Sequence, residues 1–147
     1  MDAQSRPTVT RLDDQRPEGP LILVAEDQAA TRLMIKGILK QFGLSNVMMT
    51  SEGGETTRLL QTEKFDLIIC DWHMPNVLGI DILRVVRRSE INGGAPFIMV
   101  TSETNAASVA AALDSGVTDY ITKPFTAEIL ISKVQRALKA GKKGQTP

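Results

Sequence analysis

Five short strand-like runs alternate with five helix-patterned windows along this chain, and that alternation restricts its fold more than any other feature. The runs are Leu21–Ala25, Asn46–Thr50, Phe65–Cys70, Pro96–Thr101 and Asp119–Thr122, the length expected of buried strands. After the first run, Met34, Ile35, Ile38, Leu39 and Phe42 recur at helical spacing, and Gly43 follows as a stop. Later helical windows cover about Glu55–Gln61, Ile80–Arg88, Ala106–Leu113 and Ala127–Ala140. Strands that alternate singly with helices pair in parallel, because each return to the sheet needs a crossover, and the helices then cover both faces. Three of the runs are almost purely apolar, as strands covered on both faces should be. Right-handed crossovers reduce the topology to an α/β class fold: a doubly wound, five-stranded parallel sheet in three layers.

The flanks lack this pattern. Residues 1–20 hold three prolines, three arginines and four acids, with Met1, Ala3, Val9 and Leu12 as their main apolar content. That composition cannot offset the entropy of ordering, so a disordered N-terminal extension is expected before a domain at 21–140. Residues 141–147 read as a short flexible tail. Seventeen basic and seventeen acidic residues give zero formal charge, which argues against a general nucleic-acid or membrane binder. No apolar stretch approaches the roughly 18 residues of a spanning helix, and the N-terminus has no apolar signal core. The single cysteine, Cys70, allows no disulfide and reads as a small buried hydrophobe, so a cytoplasmic setting is expected.

In open parallel sheets chemistry sits beyond the carboxyl ends of the strands, so the residues that follow each run belong together. The first run ends in Glu26-Asp27, the third in Asp71, the fourth in Thr101-Ser102, and the fifth at Lys123-Pro124. Singly these are ordinary: Asp27 could cap the next helix, and Lys-Pro is commonplace. Together they put three carboxylates, a hydroxyl and one ammonium in one crevice. Two carboxylates about 4 Å apart repel by roughly 4 kcal/mol at an effective dielectric of about 20, so three would raise one another's pKa values or demand a cation. Lys123 offsets one charge, and the all-oxygen surplus suits Mg²⁺. A phosphoryl group on Asp71 would then be bracketed by the metal, Lys123 and Thr101, which makes Asp71 a candidate nucleophile.

The motifs Val24-Ala25-Glu26-Asp27, Asp71-Trp72-His73-Met74-Pro75, Val100-Thr101-Ser102-Glu103 and Tyr120-Ile121-Thr122-Lys123-Pro124-Phe125-Thr126 resemble those of a response-regulator receiver domain. The likeness is to the stand-alone kind used in chemotaxis and covers about residues 20 to 140. It implies a flavodoxin-like (βα)5 fold with strand order 2-1-3-4-5. It implies that Asp71 accepts phosphate from a sensor histidine kinase or a phosphotransfer protein. Asp27, Asp71, the His73 backbone carbonyl and Glu26, directly or through water, would ligate Mg²⁺. Lys123 would contact the phosphoryl oxygens, with a cis bond to Pro124. Thr101 and Tyr120 would be the switch: the Thr101 hydroxyl turns toward the phosphate and the Tyr120 ring moves inward. The face made by the fourth helix, fifth strand and fifth helix would then bind an output partner, be it a flagellar motor switch, a relay protein or another effector. Such a protein is not an enzyme on another substrate; it catalyses only its own phosphorylation and slow dephosphorylation.

Departures from the family pattern lie at Leu78, where an acid is common before Gly79, and at His73, two after the phosphoacceptor, where side chains tune access of hydrolytic water. Asn105–Ala112 has no basic residue, unlike the motor-binding relatives, and offers mainly methyl groups, with Val109 and Ser108 its largest expected exposed side chains. Trp72 is expected to pack beside the site, and Arg84, Arg87 and Arg88 to form the solvated face of a helix. A haloacid-dehalogenase-type Mg-dependent phosphatase also uses an Asp nucleophile, Lys, Thr and Mg²⁺. It needs a second acid where His73 stands, and a cap insertion for which this chain lacks room. A flavodoxin-like cofactor binder would meet its phosphate with a first loop that Glu26-Asp27 makes repulsive.

Overall fold

The strand runs and helical windows become ten elements in strict alternation. The computed structural model describes residues 18–145. In chain order they are β1 (Ile22–Ala25), α1 (Ala29–Gln41), β2 (Val47–Thr50), α2 (Gly53–Thr62), β3 (Leu67–Cys70), α3 (Gly79–Arg88), β4 (Phe97–Thr101), α4 (Ala106–Asp114), β5 (Asp119–Thr122) and α5 (Ala127–Gln145). The strands form one parallel sheet in the order β2-β1-β3-β4-β5. The expected disordered extension falls mostly on residues 1–17, outside the described residues.

Period-two alternation divides the strand residues between two apolar layers. Leu23, Ala25, Ile68, Cys70, Phe97 and Met99 pack with Leu60 of α2, Ile82, Leu83 and Val86 of α3, and Ala112 of α4. Ile22, Val24, Leu67, Ile69, Ile98 and Val100 face Ile35 and Leu39 of α1 and Leu130, Val134 and Ala137 of α5. The three central strands are buried along their whole length, which is why they read as continuous apolar runs.

Helix α5 runs to Gln145, past Ala140 where the helical window was expected to end, and Gly141 lies so close to Pro96 that a Cβ would sit 3.0 Å from the proline ring. One expectation changes: Arg87 is not on a solvated face. Its guanidinium donates to the carbonyls of Ala95 at 2.6 Å, Gly116 at 2.9 Å and Gly93 at 3.1 Å. It ties the end of α3 to the loops that feed β4 and β5, and burial pushes its pKa below the ordinary arginine value.

Candidate functional site

Strand register assembles the site. Ala25 pairs with Cys70 and Thr101 with Thr122, so the residues just past β1, β3 and β5 come out beside one another at the carboxyl edge. Backbone bonds carry the ladder one step further: Asp71 N–H donates to the Ala25 carbonyl at 3.0 Å and Lys123 N–H to the Thr101 carbonyl at 2.9 Å. The β3–α3 turn closes over Asp71 through Gly79, whose N–H donates to the Trp72 carbonyl at 2.6 Å. A Cβ at Gly79 would collide with the Asp71 carbonyl, so only glycine lets the chain pass this close.

The side chains converge as the strand ends suggest. Lys123 Nζ donates to Glu26 Oε1 and to Asp71 Oδ2, both at 2.8 Å. Carboxylate oxygens of Glu26, Asp27 and Asp71 lie within 4.8 Å of one another. Glu26 and Asp71 are buried, while Asp27 opens to solvent and gives the cluster its mouth. Burial pushes Glu26 above the ordinary carboxylate range, and the hydrogen bond from Lys123 pulls back less than burial pushes. Burial would lower Lys123, but its bonds to Asp71 and Glu26 outweigh that and hold it above its usual value. Three oxygen ligand groups against one ammonium leave negative charge that a hard divalent cation fits, with room for water at Asp27. Asp27 does not cap α1: the N-cap is Gln28, without a side-chain cap bond.

The other expected residues surround this cluster. Thr101 is fully buried, and its hydroxyl accepts from the Glu103 N–H at 3.1 Å. Tyr120 is half-buried, and its hydroxyl donates to the Glu103 carbonyl at 2.6 Å. His73 N–H donates to Asp71 Oδ1 at 3.2 Å, while the His73 ring is exposed and its Nε2 lies 3.3 Å from Glu103 Oε1. The Lys123–Pro124 peptide is cis, as the motif resemblance implied. Trp72 is buried next to Asp71. Cys70 is buried, and burial, with Asp71 and Glu26 nearby, pushes its thiol pKa up and away from redox use.

Sequence reasoning gave no role to Glu103, although the residue stands in a quoted motif. It meets Thr101, Tyr120 and His73 through three different groups. Arg32 and Asn92 were also missed. Arg32 reaches back to the Glu26 carbonyl at 2.8 Å. Buried Asn92 accepts from Phe65 N–H and donates to the carbonyls of Leu60 and Glu63. Asn92 lies in a loop and meets partners 27 to 32 residues away, a pairing with no local signal.

Residues 22–135 match the response regulator receiver domain family. The chain is 36% identical over 115 residues to the chemotaxis protein CheY of Pseudomonas aeruginosa, which covers 78% of this chain and 93% of that protein. It is 33% identical over 115 residues to the chemotaxis protein CheY-3 of Vibrio cholerae, covering 78% and 88%. Among solved structures, a CheY-like receiver domain protein of Methanospirillum hungatei superposes with a TM-score of 0.80 at 26% identity, covering 86% of this chain and 99% of that one. The receiver domain of a Pseudomonas aeruginosa sensor histidine kinase, crystallised with a magnesium ion coordinated in the active site cleft, gives 0.76 at 26% identity, covering 83% and 99%.

Proposed function

Because this chain belongs to the response regulator receiver domain family, we propose that it is a phosphorylation-activated switch in which Asp71 takes a phosphoryl group from a phosphohistidine. One observation carries the reading most: a single ammonium, Lys123, bonds two buried carboxylates at 2.8 Å while Asp27 stands open beside them. In the transfer, an Asp71 carboxylate oxygen forms a bond to phosphorus as the phosphorus–nitrogen bond of the donor breaks. The imidazole leaves and takes up a proton. Lys123 stays within reach of the transferred group and offsets its charge. Glu26, Asp27 and Asp71, with the His73 carbonyl, would hold Mg²⁺, which when bound supplies positive charge to the phosphoryl oxygens.

The switch residues are Thr101 and Tyr120, coupled through the loop that holds Glu103. A Thr101 hydroxyl that turns to donate to the phosphoryl group disturbs the Glu103 backbone it now accepts from, and Tyr120 is bonded to that same residue. The consequence falls on the surface of α4, β5 and α5, where an output partner would dock. No helix among the described residues is long and apolar enough to cross a membrane. The family match leaves the phosphatase alternative without support, and His73 stands where that chemistry needs an acid.

Acetyl phosphate with Mg²⁺ should label the protein, and hydroxylamine should remove the label, as it does from acyl phosphates. Asp71→Asn should abolish labelling. Undiminished label in that variant, or label stable to hydroxylamine, places the modification elsewhere.

A further inference from the structure

Of the three acids at the site, Asp27 has the least to hold it. The Glu26 carboxylate accepts from Gln28 N–H at 3.1 Å and from Lys123 at 2.8 Å. The Asp71 carboxylate accepts from His73 N–H at 3.2 Å and from Lys123 at 2.8 Å. Among the described residues no donor reaches the Asp27 carboxylate, which is exposed and leaves the N-terminus of α1 uncapped. Its placement must therefore come through its backbone.

One side chain grips that backbone. Arg32, in the second turn of α1, sends Nη1 back to the carbonyl oxygens of Glu26 at 2.8 Å and Asp27 at 3.3 Å. These two carbonyls belong to the segment that leaves β1 and has not yet entered the helix. Both bonds come from the one nitrogen, whose two N–H groups span the two carbonyls; that fixes the tilt of successive peptide groups, and with it the direction of the Cα–Cβ bond at Asp27. We propose that Arg32 is a positioning residue for the cation site, aiming the Asp27 carboxylate at the ligand set it shares with Glu26 and Asp71. This rests on reading the three acids as a Mg²⁺ site.

The sign of the effect separates positioning from charge. Arg32 is a fixed cation close to a cation site, so by Coulomb repulsion alone its removal would tighten Mg²⁺ binding. Loss of an outer residue that orients a ligand weakens metal affinity by about 10- to 100-fold. The experiment titrates MgCl₂ into the parent, Arg32→Ala, Arg32→Lys and Asp27→Ala, reading Trp72 fluorescence and calorimetric heat, with the thermal midpoint in EDTA as the control for folding. Arg32→Ala should bind about tenfold more weakly. Arg32→Lys, with the same charge on a side chain one bond too short to reach both carbonyls, should fall between it and the parent. Affinity in Arg32→Ala equal to or tighter than the parent overturns the proposal, even if its midpoint falls, because Arg32 then only braces the helix. Should Arg32→Ala fail to fold, Arg32→Lys decides: several-fold weaker binding supports positioning, and parent-like affinity overturns it. Asp27→Ala should lose binding. If it binds like the parent, the metal-site reading fails first and takes the proposal with it.

Discussion

Lys123 holds two carboxylates at once, and its own acidity records that. Its pKa lies above the ordinary 10.5: burial pulls it down, but the bonds to Asp71 and Glu26 more than offset this. A group raised in the folded state contributes stability that is complete below about pH 10.5 and is lost as pH rises through the folded value. Lys123→Met should therefore unfold more easily at neutral pH, by about 1–3 kcal/mol, since two carboxylates lose their donor at a partly solvated site. It should also lose less stability than the parent on going from neutral to strongly alkaline buffer. Urea denaturation at both pH values reads both effects, and parallel losses in the two proteins would remove Lys123 from the account. Gly79 is the second residue whose identity the site demands. Gly79→Ala should cost about 1–3 kcal/mol by forcing the Asp71 carbonyl aside, measured by the same denaturation. Asp71 and Lys123 were legible because each closes an apolar run. Gly79 is, in the sequence, only the residue after Leu78, since its closeness to Asp71 exists only once the β3–α3 turn has formed.

At the scale of elements, two helices behave differently from their sequence patterns. Arginines at the end of α3 look like a solvated face, yet Arg87 turns inward, where the carbonyls of Gly116, Gly93 and Ala95 accept from its guanidinium. Arg87→Leu should cost about 1–3 kcal/mol in thermal or urea denaturation while leaving Asp71 labelling intact, because the strap lies at the opposite edge of the sheet from the site. Helix α4 offers methyl groups, as its sequence suggests, but the exposed ones are Ala106, Ala107 and Ala110, joined by Leu113 at 62% exposure. Val109 and Ser108, expected as the largest exposed candidates, are half-buried, because helical rotation turns them toward the neighbouring elements. A partner drawn to this face meets mainly apolar surface. Its binding to the phosphorylated protein should change little between low and high salt. Ala107→Glu or Leu113→Glu should weaken binding in a pull-down with phosphorylated bait, without reducing Asp71 labelling. Binding that collapses with salt, or ignores both substitutions, would place the contact on another surface.

For the whole molecule, the Mg²⁺ site proposed at the acidic cluster would link folding to cation binding. A ligand bound only by the folded state adds stability by mass action, about 1.4 kcal/mol at tenfold above its dissociation constant. Mg²⁺ should therefore raise the thermal midpoint by a few degrees relative to EDTA, and Asp27→Ala should remove the increment; an equal rise in that variant would assign the effect to general salt. The alternation of strand-like runs and helical windows was enough to specify five strands, five helices, a parallel sheet and the edge where the acidic cluster gathers. Those features follow from polarity repeating at periods of two and 3.6, which any local stretch displays. Pairings across distance were not local. Lys123 stands 97 residues from Glu26 and 52 from Asp71, Arg87 meets a carbonyl 29 residues on, and α5 continues past Ala140 where Gly141 rests on Pro96. Which donor meets which carboxylate, and which carbonyls claim an arginine, is set by the register of parallel strands and the lengths of the loops between them. Only the folded chain brings those groups within the 3 Å or so over which a hydrogen bond acts.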